Sequence, residues 1–298
     1  MSNLPINFYE KLGSAIDPSE GNPNYDIHGI KLPFRMLVVG ASGSMKTNTA
    51  LDIFKKISPA FTKLTIVTRN SDEPLYNLIK KKIPEDSLKI IEIDQDDLSD
   101  LPNLQELTSK EPATLVIFDD LVLVKNQKRI SEFFIRARKC NISCMYLSQS
   151  YFGTPKTIRG NCNIIIFKKI SAKSDLNLIL RDYTLSLEVD ELKKLYTECT
   201  REKLDWLMIK IDNPSGEQMY HNYTLLTIPG KEDESNKKMK RNESEIPEKG
   251  SEKEPEFDKP EKRESVQKAP NLTKQEIPNS DRQETQFKEL QKLLHKFY

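Results

Sequence analysis

A short apolar segment that leads straight into a glycine- and serine-rich turn constrains this chain more than any other feature. FRMLVVG (34–40) is apolar at almost every position and ends in glycine, which is typical of a strand buried on both faces of a parallel sheet. After the turn, apolar residues recur at helical spacing from Lys46 onward. Because parallel strands are joined by crossover connections, usually helices, this succession predicts an α/β fold.

The same alternation continues along the chain. Further strands are predicted at 63–69, 87–93, 113–120, 141–150, 162–169 and 204–212, and helices at 46–57, 70–83, 126–139, 174–182 and 188–199. A hairpin through NPSG then leads into a last strand. This pattern predicts a three-layer sandwich of helices on both faces of a mainly parallel sheet.

The composition changes sharply toward the end of the chain. Of the 298 residues, 31% are charged and only 37% are hydrophobic, and a long stretch of Lys, Glu, Pro, Ser and Asn has almost nothing to bury. Such a stretch cannot offset the entropy of ordering, so we predict that it is disordered. We divide the chain into an irregular lead-in that covers one sheet edge (1–33), a folded domain (34–229), a disordered charged linker (230–279) and a short amphipathic C-terminal helix (280–298).

Charge and cysteine content limit the class of protein. A net charge of +1 gives no overall sign of nucleic-acid binding, so any DNA contact must come from local basic patches. The four cysteines include no CxxC pair, which favours a reduced, intracellular protein. Residues 1–30 lack the pattern of a signal peptide, and no apolar run is long enough to span a bilayer. We therefore expect a soluble protein that is not secreted and has no membrane partner.

The turn after the first strand resembles a phosphate-binding loop. GASGSMKTN (40–48) fits the pattern G-x-x-x-x-G-K-[ST] except that Met45 replaces the second glycine. Backbone N–H groups of such a loop surround the phosphates of ATP, while Lys46 reaches the β and γ phosphates and Thr47 offers its hydroxyl to Mg²⁺. The predicted nucleotide-binding residues are Gly40, Ala41, Ser42, Gly43, Ser44, Met45, Lys46, Thr47 and Asn48.

The alternative is a Gly/Ser turn followed by a chance Lys-Thr pair. Glycine at the position of Met45 serves a backbone conformation or a close approach. The amides that hold phosphate need no particular side chain, so we expect Met45 to cause a modest loss of nucleotide affinity.

Two further strand ends supply the residue types that such a site needs. LVIFDD delivers Asp119, which would hold the magnesium shell, and Asp120, which would act as general base on the attacking water. Alone, these two aspartates could equally cap the next helix. The following strand ends at Gln149, and a parallel sheet would place its amide near the γ phosphate.

Taken together, four segments resemble one family. LPFRMLVVGASGSMKTN, TLVIFDDL, RKCNISCMYLSQSYFGTPKTIRGNCNIIIFKK and RDYTLSLEVDELKKLYTECTREKLDWLMIKID occur in this order, and the series is similar to that of poxvirus-type genome-packaging ATPases. These belong to the FtsK/HerA group and also occur in virophages and polinton-like elements. The resemblance covers roughly residues 30–228, and its most specific block is QSYFGTPKTIRGN.

The resemblance implies a RecA-like P-loop core that forms a ring homo-oligomer and drives double-stranded DNA into a preformed capsid by ATP hydrolysis, in the virion or at an intracellular assembly site. It also implies an arginine that reaches the transferred phosphate of a neighbouring subunit. Arg159, Arg136 and Arg138 are the candidates, and the alternative is that they are solvated or touch DNA phosphates. The wider superfamily often has glutamate where this chain has Asp120.

Two basic stretches, 79–83 and 125–139, could contact DNA phosphates without sequence preference, or could be ordinary solvated helix faces. Within the second, we expect the apolar run 133–135 to pack into the core.

The C-terminal helix could dock on a capsid or vertex protein, fold back on its own core or be only marginally stable.

Two other functions stay open at this point. One is a cellular or plasmid DNA-pumping ATPase of the same superfamily. The other is a nucleotide-binding scaffold in which Met45 impairs hydrolysis.

Overall fold

A computed structural model describes residues 22–94, 97–108, 113–183, 187–212 and 218–227. The predicted linker (230–279), the predicted C-terminal helix (280–298), the NPSG turn and most of the lead-in lie outside the described residues. No helix in the described part of the chain is long and apolar enough to cross a membrane.

The described residues form one sheet in the order β3-β2-β4-β5-β1-β6-β7-β8-β9. Its strands are β1 (Arg35–Val39), β2 (Phe61–Thr68), β3 (Leu88–Glu92), β4 (Ala113–Asp119), β5 (Ile142–Ser148), β6 (Ile164–Phe167), β7 (Leu207–Lys210), β8 (Gln218–His221) and β9 (Thr224–Leu225). β1 to β6 pair in parallel, and β7 to β9 add an antiparallel extension. The predicted α/β fold with a mainly parallel sheet is confirmed.

The helices are α1 (Tyr25–His28), α2 (Lys46–Ile57), α3 (Pro74–Lys80), α4 (Leu104–Leu107), α5 (Lys128–Arg136), α6 (Lys156–Arg159), α7 (Lys173–Asp182) and α8 (Val189–Cys199), with 3₁₀ turns at Ser58–Ala60 and Ala137–Cys140. The connections from β1 to β2 and from β2 to β3 run toward one edge of the sheet, and those from β4 to β5 and from β5 to β6 run the other way. Because such crossovers are right-handed, α2 and α3 cover one face while α5 and α6 cover the other.

Two predicted helices are shorter than their sequence patterns. The prediction at 70–83 becomes α3, because Pro74 fixes its first turn and the preceding Glu73 is extended. The prediction at 126–139 becomes α5 followed by a tighter 3₁₀ turn, which ends at Asn141 in the left-handed conformation. Both differences lie at helix ends, where capping residues rather than apolar spacing set the boundary.

The apolar run 133–135 packs only in part as expected. Phe133 and Phe134 are buried against Phe118 of β4, but Ile135 is 51% exposed. The prediction for Ile135 is therefore wrong. The buried positions of α5 include Ile130, Phe133 and Phe134, and at 3.6 residues per turn the next residue rotates out of that stripe.

The described part of the lead-in is more ordered than predicted. It contains α1, whose C-terminal carbonyl oxygens on His28 and Gly29 accept hydrogen bonds from Lys210 Nζ at 3.2 and 2.7 Å. Lys210 ends β7, where it pairs with Ile164 at the start of β6. The lead-in therefore lies at the end of the sheet where the parallel strands begin.

Candidate nucleotide site

The sheet order brings the predicted residues to one place. β1 lies between β5 and β6, and β5 lies between β1 and β4. The loop after β1, the aspartates that end β4 and the glutamine that follows β5 therefore meet at the carboxyl ends of three adjacent parallel strands. Open α/β sheets bind ligands at this edge, where the strand order reverses.

The phosphate loop is built tightly around two glycines. A Cβ on Gly40 would lie 2.5 Å from Lys168 Cβ and 2.6 Å from Ser44 Oγ, so no other residue fits there. Gly43 has a φ of +71°, with no atom within 4 Å of the Cβ position. Gly40 is thus required for close packing, whereas Gly43 is favoured only by backbone conformation.

Met45 keeps the backbone conformation that its position needs. Its φ and ψ are 66° and 34° in the left-handed region, directly before the first turn of α2. A residue with a side chain is disfavoured there by about 1–2 kcal/mol. The side chain is 38% exposed, so methionine occupies the glycine position by accepting strain without filling the loop.

Lys46 lies within the loop. Its Nζ donates hydrogen bonds to the carbonyl oxygens of Gly40 and Ala41, both at 3.0 Å. Burial lowers the pKa of Lys46, and the charges of Asp119 and Asp120 partly oppose this shift. The ammonium group is therefore close enough to Asp119 and Asp120 for both charges to favour its protonated form.

The loop fits a bound phosphate. Ser44 Oγ is buried and has no hydrogen-bond partner in the described structure, although a buried hydroxyl group normally has one. α2, which begins at Lys46 and is twelve residues long, directs the N–H groups of its first turn and its dipole at the same place. An anion bound here would meet the free donors of the helix end and the Lys46 ammonium.

Asp119 is the centre of a buried hydrogen-bond network. Its Oδ2 accepts a hydrogen bond from Thr47 Oγ1 at 3.0 Å and another from the Tyr76 hydroxyl. Burial raises the pKa of Asp119, and the negative charge of Asp120 raises it further. The two hydrogen bonds and the positive charge of Lys46 lower this pKa and so oppose the effect of burial. The contact between Thr47 and Asp119 joins the start of α2 to the end of β4.

Asp120 and Gln149 are in contact, and the sequence had not predicted this contact. Gln149 Nε2 donates a hydrogen bond to Asp120 Oδ1 at 3.0 Å, across the junction between β4 and β5. Asp120 has a φ of 55° and is exposed. The turn thus directs this carboxylate toward solvent, while Asp119 is buried.

A sequence model of the family described as Poxvirus A32 protein matches residues 27–213. This is more than half of the 298-residue chain. The chain belongs to the Poxvirus A32 family. The resemblance drawn from its motifs is confirmed, and with it the assignment of this A32 family member as an ATPase. No curated protein matches the chain.

Several solved structures are similar in backbone arrangement. The genome-packaging NTPase B204 of Sulfolobus turreted icosahedral virus 2, bound to ATPγS, shares 13% identity and has a TM-score of 0.48, over 65% of this chain and 98% of its own. The DNA-packaging ATPase B204 of Sulfolobus turreted icosahedral virus shares 13% identity with a TM-score of 0.47, over 64% and 98%. EssC (ATPases 2 and 3) of Geobacillus thermodenitrificans shares 15% with a TM-score of 0.38, over 71% and 44%.

The three candidate arginines of this A32 family member lie on different elements. Arg159 donates from Nε to the Thr154 carbonyl oxygen at 3.0 Å, and its guanidinium lies 4.6 Å from the centre of the Tyr151 ring. Arg136 and Arg138 are exposed at the end of α5, just before β5 begins. They therefore lie at the opposite end of β5 from Gln149.

Sequence patterns did not identify three further residues around the site. Tyr76 belongs to α3 and Glu73 directly precedes it. Burial raises the pKa of Glu73, with further contributions from Asp119 and Asp120. Lys168 follows β6, lies against Gly40 and donates to the Leu204 carbonyl oxygen at 2.8 Å. Their sequence positions gave little signal: Glu73 and Tyr76 lie within the helix predicted at 70–83, and Lys168 lies within the strand predicted at 162–169.

Proposed function

We propose that this protein hydrolyses ATP at the carboxyl ends of β1, β4 and β5 and uses the energy to move double-stranded DNA into a viral capsid. The observation that carries the proposal is one pair of contacts. Thr47 Oγ1 lies 3.0 Å from Asp119 Oδ2, and Gln149 Nε2 lies 3.0 Å from Asp120 Oδ1. Together they bring a phosphate loop, a metal-binding carboxylate and a water-orienting pair into one site.

The chain's own residues would divide the chemistry as follows. Backbone N–H groups of 42–47 hold the phosphates, and Lys46 turns from the loop carbonyls to the transferred group. Asp120 accepts a proton from the attacking water, while Gln149 holds that carboxylate in place. The water oxygen bonds to the γ phosphorus, the bond to the bridging oxygen breaks, and ADP leaves with that electron pair.

Thr47 and Asp119 are the residues that would hold Mg²⁺. Their oxygen donors suit this ion, which prefers oxygen ligands and retains several waters. When bound, the ion supplies charge neutralisation on the phosphates. The buried position of Asp119 keeps it from competing solvent, and Tyr76 restrains it by a hydrogen bond to the same oxygen, Oδ2, that Thr47 contacts.

A ring of copies would complete the site. Leu123 and Phe152 are exposed by 74% and 43%. They belong to loops that touch each other, because Gly153 packs against Val122. Exposed apolar side chains next to a site suit contact with another protein surface. Within that surface Arg159, held by Thr154 and Tyr151, is our candidate for the arginine that acts on a neighbouring subunit.

DNA and capsid contacts belong to the same proposal. Lys80 and Lys81 are exposed at the C-terminal end of α3, and Arg136, Arg138 and Lys139 are exposed at the C-terminal end of α5 and just beyond it. These are basic groups of the kind that bind duplex phosphates without sequence preference. Arg129 is not available for this role, because it donates to the carbonyl oxygens of Leu98 and Leu101. Residues 280–298 are our candidate for the capsid or vertex contact.

The test of movement is displacement of a third strand from linear duplex DNA by the full chain. We expect displacement that requires ATP and Mg²⁺ and is lost in Lys46→Ala and in Asp119→Asn. A protein that turns over ATP with DNA but displaces nothing would contradict translocation. Displacement from bare duplex that is not followed by uptake into capsids would favour a cellular or plasmid DNA pump.

Strain at Met45 favours one alternative, a scaffold that binds nucleotide with impaired hydrolysis. Gln149→Ala separates the two functions. In an ATPase this change slows hydrolysis by about tenfold or more and leaves nucleotide affinity nearly unchanged. In a scaffold, wild type and variant bind ATP alike and neither turns it over.

A further inference from the structure

Tyr76 makes a contact that packing alone does not require. The residue is 1% exposed and lies in the apolar core cluster, with Ile79 and Ile83. A phenylalanine would fill that space equally well. The hydroxyl instead leaves the apolar cluster and donates a hydrogen bond to Asp119 Oδ2.

This contact joins an additional helix to the site. α3 follows β2, the neighbour of β4 on the side away from β5. Asp119 Oδ2 therefore accepts two hydrogen bonds, one from Thr47 at the phosphate loop and one from Tyr76 in α3. The two donors together restrict rotation of the carboxylate, whereas either one alone would leave more freedom.

We propose that Tyr76 is a positioning residue for magnesium-dependent nucleotide binding: its hydroxyl holds Asp119 in the orientation that Thr47 and the metal ion share. The proposal rests on the ATPase function proposed above. Groups that orient the ligands of a metal ion contribute about 10- to 100-fold to metal affinity or activity. Tyr76 acts through Asp119 and does not itself contact the nucleotide.

The chain offers a matched control. The Tyr223 hydroxyl donates a hydrogen bond to Asp52 Oδ2 at 2.8 Å, so this pair has the same chemistry. Asp52 lies in the middle of α2 and outside the proposed machinery. Tyr223→Phe therefore removes an equivalent tyrosine–carboxylate bond without touching Asp119.

The experiment measures the affinity of the full chain for ATPγS with Mg²⁺ and with EDTA. For Tyr76→Phe we expect affinity in EDTA within about twofold of wild type, and a magnesium-dependent gain reduced about tenfold. Tyr223→Phe should keep the full gain. Replacing Tyr76 with 4-aminophenylalanine retains an N–H donor at the same place, so this variant should recover most of the magnesium-dependent gain. It also tests the proposal if the phenylalanine variant does not fold.

Two results would overturn the proposal. One is an unchanged magnesium-dependent gain in Tyr76→Phe; the other is an equal loss of affinity with Mg²⁺ and with EDTA, which indicates a structural role only. Failure of the proposed function looks different, because wild type would then bind ATPγS with a magnesium-dependent gain and show no ATP turnover with or without DNA.

Discussion

Two lysines at opposite ends of the sheet make the same kind of contact in different surroundings. Lys46 Nζ donates to the carbonyl oxygens of Gly40 and Ala41, and Lys210 Nζ donates to those of His28 and Gly29. Burial lowers the pKa of both. Hydrogen bonding and desolvation therefore do not distinguish the lysine that we propose to be catalytic from one that holds two segments together.

The groups around each lysine distinguish Lys46 from Lys210. Lys46 faces the two carboxylates of β4 at an edge with free helix-end donors. Lys210 is closed in by the Tyr220 ring, whose centre lies 4.0 Å from Nζ, and by a turn whose carbonyls it satisfies. We infer that Lys46 can exchange its partners for a phosphate. Lys210 keeps the two carbonyl partners that hold the lead-in, although Asp212 also favours its charged form.

The largest expected effect is the loss of turnover in Lys46→Ala. Removing the charge that meets the transferred phosphate should lower kcat by about a hundredfold or more. Thermal unfolding should change little, because the loop carbonyls can turn to water. Steady-state hydrolysis and a melting curve on one preparation check this. A strongly destabilised variant would mean that Lys46, like Lys210, is structural.

The second prediction concerns the packing behind the loop. Gly40→Ala places a methyl group 2.5 Å from Lys168 Cβ, and overpacking of this kind costs about 1–3 kcal/mol of unfolding free energy. Gly43→Ala meets no atom within 4 Å and adds only backbone strain, about 1–2 kcal/mol. Denaturant unfolding should rank Gly40→Ala as the more damaging. Equal losses would show that the loop is looser than described.

The third prediction concerns pH and Lys210. Burial lowers the pKa of Lys210 to about 8 from an ordinary 10.5. Between these values the unfolded chain binds more protons than the folded one, so stability rises with pH. Wild type should therefore gain about 1 kcal/mol more than Lys210→Met between pH 7.5 and 9 in urea unfolding.

Comparison of the two proteins cancels the other titrating groups in this experiment. ATP turnover per folded molecule should be the same in Lys210→Met and wild type. A large loss of turnover without loss of stability would contradict the division between the two lysines.

The smallest expected effect is that of Met45→Gly. Glycine adopts the left-handed conformation of this position without strain. The relief of about 1–2 kcal/mol is partly offset by the greater entropy that glycine loses on folding, about 0.5–1 kcal/mol. Stability should therefore rise by about 0.5–1 kcal/mol and ATP affinity by about two- to threefold. Equilibrium binding of a fluorescent ATP analogue measures the first change. A large gain in kcat would instead indicate that the natural loop is impaired.

Local sequence patterns predicted much of this site. A buried strand before GASGSMKTN and a helix after it were predicted and are present, and the strand ends at Asp119 and Gln149 lie on neighbouring strands. The predicted residues come together because parallel strands end at one edge, so residues far apart in sequence meet when each follows a strand. Their roles toward nucleotide stay predictions.

The missed residues depend on contacts that no local pattern contains. Tyr76 meets Asp119 across 43 positions, and its ring fits the same apolar spacing as any core residue of α3. The wrong prediction for Ile135 has a local cause, because three adjacent apolar residues cannot all face one side of a helix. The ring and the DNA path stay predictions, since they depend on surfaces between molecules.

The account depends most directly on ATP turnover by the purified full chain. With Mg²⁺ we predict hydrolysis that duplex DNA stimulates and that Lys46→Ala abolishes, while Lys210→Met retains it. Tight ATP binding without turnover, in the presence of both Mg²⁺ and DNA, would contradict the motor function. Turnover that survives in Lys46→Ala would place the active site somewhere other than the loop at Gly40.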